Sequence, residues 1–128
     1  MITVGILTMS DKGSRGERED LSGKEIEKMV KDLPAQVLAY EIIPDEIEII
    51  SRKLIEFADE KKLDLIITTG GTGVTPRDVT PEATKAVIER ELPGMAEAMR
   101  FESLKKTPNA MISRAVCGTR KETLIINL

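Results

Sequence analysis

Residues 63–84 read LDLIITTGGTGVTPRDVTPEAT. Leu63 to Thr69 is an apolar, β-rich run of strand length, and Gly70, Gly71 and Gly73 break it. A helical pattern then opens, with Thr80 as the expected N-cap and Pro81 at the first helical position. A buried strand turning through glycines into a helix is a piece of a βαβ unit, and the same grammar repeats toward the N-terminus. Residues 2–8 (ITVGILT) lack clear alternation, as expected of a central strand covered on both faces. Residues 35–43 (AQVLAYEII) form the second strand, and Ile47, Ile50, Leu54 and Phe57 then recur at helical spacing.

Between the first two strands, residues 10–23 (SDKGSRGEREDLSG) hold three glycines and seven charges with almost nothing to bury. They predict a mobile loop leading into a helix over 21–31. Strand, helix, strand, helix, strand with short joints places helices on both faces of a mostly parallel sheet. The expected class is α/β, a three-layer α/β/α sandwich with a Rossmann-like sheet. Toward the C-terminus the helix from Pro81 should run to Arg90, and Leu92-Pro93-Gly94 should break it before another helical stretch through Arg100. Residues 113–128 (SRAVCGTRKETLIINL) predict a hairpin around Arg120-Lys121, giving one antiparallel strand before Thr123–Asn127 returns to the sheet.

Composition narrows the function. At 128 residues, 41% of them hydrophobic, the chain supports one core and so a single domain over 1–128. The net charge of -3 and an aromatic content of 2% provide neither a broad basic face nor stacking platforms, so nucleic acid is not an expected partner. There is no histidine, which removes imidazole bases and the commonest transition-metal ligand. Chemistry must rest on carboxylates, hydroxyls, backbone amides and a hard cation. The lone Cys117 and the absence of a signal pattern or long apolar span predict a cytoplasmic protein without membrane association.

In an open α/β sheet, ligands bind beyond the carboxyl ends of the strands, where loops 10–23, 44–46 and 70–80 converge. Gly70, Gly71, Thr72 and Gly73 suit an anion cradle, but the Walker and GxGxxG spacings both fail here: Thr75 replaces the second Walker glycine and Pro76 the third dinucleotide glycine. Asp78 lies two residues before the expected Thr80 cap and fits a Mg²⁺ ligand beside phosphates; an Asx turn or a pair with Arg77 stays open. Asp45 opens a capping box with Glu48, and from the residues alone the cap is the favoured reading. Ser10 and Asp11 form a third loop on the same edge. Glu97 and Arg100 read as a solvated ion pair, and Arg114 as either an anion ligand or surface decoration.

The stretch TTGGTGVTPRDVTPEAT resembles the signature of the molybdopterin adenylyltransferases of molybdenum cofactor biosynthesis, and TMSDKGSRGEREDLSG, IIPDEIEII, ELPGMAEAMR and SRAVCGTRKETLIINL extend the likeness over the whole chain. The resemblance implies a homotrimer that binds molybdopterin and MgATP, with ATP as co-substrate, and makes adenylyl-molybdopterin and pyrophosphate. A downstream molybdenum-insertion protein would receive the product. By position, Asp45 and Asp78 match catalytic and metal-binding acids, while Ser10, Asp11, Gly70, Gly71, Thr72, Gly73, Thr75, Arg77 and Thr80 match the ligand-binding loops. Family members usually continue past the final strand with a Pro-Gly turn and further helices, so this domain is expected to lack that C-terminal extension. The alternatives are a non-catalytic molybdopterin carrier or scaffold and a competence-damage-type nucleotide pyrophosphatase.

Overall fold

The structure, a computed structural model, describes residues 1–128. Six strands form one sheet: β1 (Ile2–Met9), β2 (Ala35–Ile43), β3 (Leu65–Thr69), β4 (Arg90–Glu91), β5 (Cys117–Arg120) and β6 (Thr123–Asn127), in the order β2-β1-β3-β6-β5-β4. β1, β2, β3 and β6 run parallel, and β5 is antiparallel to both of its neighbours. The expected mostly parallel sheet with one reversed strand is what forms.

The helices are α1 (Asp11–Ser14), α2 (Leu21–Val30), α3 (Ile47–Ile55), α4 (Thr80–Val87) and α5 (Pro93–Leu104); α3 runs on into a π-helical turn, Glu56–Glu60. The larger core joins Leu7, Ile66 and Ile125 of the sheet to Ile50, Leu54 and Phe57, all fully buried. Each such side chain contributes about 1.5–3 kcal/mol on leaving water. A second cluster packs Ile26 and Val30 of α2 on Val4 and Ile6, so successive β1 residues serve opposite layers. Such two-sided burial explains the missing alternation in β1.

Four local expectations are corrected. Thr80 is not a cap: Val79 holds that position, and the Thr80 hydroxyl donates to the Gly70 carbonyl at 2.9 Å, binding helix to loop. Asp45 is not a cap either, because Glu46 stands at the N-cap of α3 and Asp45 turns toward the first loop. α4 stops at Val87 rather than Arg90, since Glu89 donates its amide to Thr119 and Arg90–Glu91 pair with β5. Ladder hydrogen bonds there replace the helical ones. The loop over 10–23 is tied down where a mobile one was expected: Ser10 caps α1 by accepting from the Gly13 amide, and the buried Asp20 caps α2 by accepting from Gly23.

Candidate functional site

A crevice of about 990 Å³ opens at the carboxyl ends of β1, β2 and β3. Ser10, Asp11, Asp45, Gly70, Gly71, Thr75, Arg77 and Asp78 all line it, so most of the residues singled out in the sequence meet in one place. Three do not line it. Thr80 is completely buried beneath the loop, Gly73 packs behind Asp78, and Thr72 faces a second cavity of about 370 Å³ beside α5, lined also by Arg100, Ser113 and Asn127.

The glycine loop keeps its shape through positive φ at Gly70 (94°) and Gly71 (70°). A Cβ on Gly70 would strike the Met9 carbonyl, and one on Gly71 would meet the Thr80 hydroxyl and stand 3.2 Å from an Asp45 carboxylate oxygen. The loop backbone therefore runs directly past Asp45. The Gly71, Thr72 and Gly73 amides donate to no other group of the chain, which is the condition for cradling a phosphate.

Around this loop the carboxylates are arranged in pairs. The Asp11 amide donates to Asp45 Oδ2 and the Asp45 amide to Asp11 Oδ1, each at 3.0 Å, a reciprocal clasp between the loops that follow β1 and β2. Arg77 reaches across from the glycine loop and grips Asp11 with two bonds, of 3.0 and 2.9 Å. Those bonds, with the Asp45 amide, hold the Asp11 carboxyl below its ordinary pKa. Burial pushes the Asp45 carboxyl above it, and the charges of Asp11 and Asp78 push the same way against the Asp11 amide and Arg77.

Asp78 folds back on its own turn, where Oδ2 accepts from the Thr75 amide (2.9 Å) and hydroxyl (2.8 Å). Thus Asp45 Oδ1 and Asp78 Oδ1 carry no hydrogen bond within the chain. Mg²⁺ takes one or two carboxylates and fills its remaining positions with waters and substrate phosphates, so this pair fits it as a shared ion rather than a caged one. No cluster of three or more metal-ligating side chains is present. Asp11, Glu19, Asp20, Asp45 and Asp78 outnumber Lys12, Arg18 and Arg77 along the walls. An anionic ligand entering such a crevice needs a cation with it.

Sequence reasoning overlooked Asp20. It lies at the crevice wall with 8% of its surface exposed, accepting from Thr8 Oγ1 (2.7 Å), the Gly23 amide (2.9 Å) and the Tyr40 hydroxyl. Burial raises its pKa, but those three donors outweigh it and the net shift is downward. The Asp-x-x-Gly spacing of a helix N-cap was the available signal. Arg114 is neither free for an anion nor decorative, since its side chain bonds the Gly73 and Asp78 carbonyls. Arg100 forms no ion pair with Glu97; it donates to the Ser113 and Ala115 carbonyls. Cys117 is a buried strand residue.

Known proteins resemble this chain over nearly its whole length. Residues 5–128 match the probable molybdopterin binding domain. A molybdopterin adenylyltransferase of Helicobacter pylori (strain J99) is 48% identical over 99% of this chain and 73% of its own length. The Escherichia coli K12 protein of the same name is 42% identical over 99% of this chain and 66% of its own length. The crystal structure of the molybdopterin biosynthesis enzyme MoaB of Thermus thermophilus superimposes with a TM-score of 0.94 at 53% identity, covering all of this chain and 80% of that one. A family match over nearly every residue, together with the shared three-layer sheet, shows that this chain belongs to the molybdopterin-binding domain family of molybdenum cofactor biosynthesis.

Proposed function

We propose that this chain is a molybdopterin adenylyltransferase that uses MgATP. The observation that carries the reading is the convergence of Asp45 and Asp78, each with one unbonded carboxylate oxygen, on a glycine loop whose amides are undonated. The relatives named for this activity support the same conclusion.

The terminal phosphate of molybdopterin attacks the α-phosphorus of ATP in line. A new P–O bond forms, the bond to the bridging oxygen of the β-phosphate breaks, and pyrophosphate leaves. The attacking oxygen is already anionic, so no base has to remove a proton; the chain has no histidine to do so. When bound, Mg²⁺ supplies charge neutralisation on the phosphate oxygens. Asp45 and Asp78 would hold it, the Gly71–Gly73 amides would contact the phosphates, and Lys12 and Arg18, the wall cations that pair with no carboxylate, would meet the remaining phosphate charge. Catalysis is then positioning and electrostatics, with no covalent intermediate on the protein.

Two cavities meet at this loop, one past Gly70–Gly71 and one at Thr72. Two substrates brought together at a shared phosphate strip would use such a layout. Supplying ATP labelled at the α-phosphate with molybdopterin tests it: the label should move to the pterin, and label appearing only in free AMP would favour nucleotide hydrolysis instead. No helix is long and apolar enough to cross a membrane, and we assign the reaction to the cytoplasm, with a molybdenum-insertion protein receiving the product. We also assign a homotrimer, supported by Phe101, Met111 and Ile112, apolar side chains exposed around α5 and the turn after it.

A further inference from the structure

We propose that Arg114 is the positioning residue of the Asp78 turn, acting on the reaction through Asp78 rather than by touching a substrate. This rests on the reading of Asp78 as one of the two carboxylates that would hold the metal. Residues 74–77 are all exposed and belong to no helix or strand. The turn's own bonds are the pair from Thr75 to Asp78 Oδ2 and the Asp78 amide to the Thr75 carbonyl. Those bonds close the turn on itself; they do not fix it to the rest of the protein.

Arg77 reaches from the middle of the turn to Asp11, and Arg114 attaches both of its ends to the segment before β5. Arg114 Nε donates to the Gly73 carbonyl at 2.7 Å and its Nη2 to the Asp78 carbonyl at 2.6 Å, so one planar group grips both ends of the turn. Nη1 is paired with Glu82 in the first turn of α4 at 2.5 Å, and the Arg114 amide donates to the Thr72 carbonyl at 2.8 Å. All three guanidinium nitrogens are therefore engaged, and Arg114 does not line the crevice. The Arg114 segment is itself held from α5, where Arg100 Nη1 donates to the Ser113 and Ala115 carbonyls at 3.3 and 3.0 Å. A fork of this geometry cannot be replaced by lysine, whose ammonium is a point charge without the fixed planar donors that meet two carbonyls at once.

Displacing a positioned group by about 1 Å costs about a hundredfold in rate, so loosening this attachment should reach the chemical step. The test compares wild type with Arg114→Lys, Arg114→Ala and Asp78→Asn, reading kcat and KM for both substrates per folded molecule. Amide hydrogen exchange of the turn and calorimetric binding of the metal–ATP complex are read beside them. For both Arg114 variants we expect kcat to fall by about tenfold or more with KM for molybdopterin unchanged. Exchange at Thr75 and Asp78 should quicken while β1 and β3 stay protected, and millimolar guanidinium should restore part of the Ala variant's turnover. Should the Ala variant fail to fold, the Lys variant decides. A Lys variant with wild-type kcat, or with wild-type exchange in the turn, overturns the proposal. Full turnover by Asp78→Asn would instead sink the reading of the site itself, whatever the Arg114 variants do.

Discussion

Asp45 is held in a position that suits a ligand better than it suits stability. Its carboxyl is partly buried, and burial with the neighbouring Asp11 and Asp78 charges raises its pKa. A folded-state pKa above the unfolded one means that the folded protein binds the proton more tightly. Its contribution to stability is therefore present below the ordinary carboxylate pKa of 3.8 and is lost as pH rises through the raised value, so at neutral pH the ionised group weakens the fold. Asp45→Asn keeps an acceptor for the Asp11 amide while removing that charge. We expect it to raise the thermal midpoint at pH 7 and to cut turnover about a hundredfold, as removal of a single electrostatic contact to a developing charge does. Calorimetry and turnover on the same preparation check both; a lower midpoint would contradict the electrostatic account of Asp45. The sequence placed this residue at the right strand end but assigned its carboxylate to the helix behind it. A capping box is a local pattern, whereas the partner that claims Asp45 is the Asp11 amide, 34 residues away.

At the scale of elements, the site depends on α2 being fixed to the sheet, and Asp20 does this. One carboxylate takes donors from β1 (Thr8), β2 (Tyr40) and the first turn of α2 (Gly23). Asp20→Ala leaves the Thr8 and Tyr40 hydroxyls without their acceptor and removes the cap. Breaking a buried network of this kind costs about 2–4 kcal/mol. Urea denaturation should show that loss at pH 7. Because the Asp20 pKa is lowered, the stability that it brings is present above the ordinary carboxylate value and disappears as pH falls through the folded one, so wild type and variant should converge in strong acid. Equal stability at pH 7 would show that the network is incidental. Strands and helices were largely legible in the sequence because burial on one or two faces leaves a periodicity in the residues themselves: β2 and β6 fall at their expected bounds. The exceptions are places where a distant backbone competes. β5 draws Arg90–Glu91 out of the α4 pattern, and the seven charges between Ser10 and Gly23 concealed three tethers, at Ser10, Asp11 and Asp20.

The whole molecule sets its crevice-lining residues on loops at one end of the parallel strands, a scaffold whose core lies between β1, β3, β6 and the α3–α4 layer. Phe101, Leu104, Met111 and Ile112 are exposed on α5 and the segment after it, away from the crevice. The assigned homotrimer predicts a mass in sedimentation of three times the 14.1 kDa of the chain, and a persistent monomer at micromolar concentration would contradict it. The chemistry proposed for the crevice turns on Asp78. Asn at position 78 can still accept from Thr75, so the turn should keep its shape while losing the charge. The decisive measurement is pyrophosphate release from MgATP, with and without molybdopterin, by wild type and by Asp78→Asn. The account predicts release by wild type only when the pterin is present, and a fall of about a hundredfold or more in the variant at an unchanged thermal midpoint. Release that needs no pterin, or that survives in the variant at the wild-type rate, would contradict it.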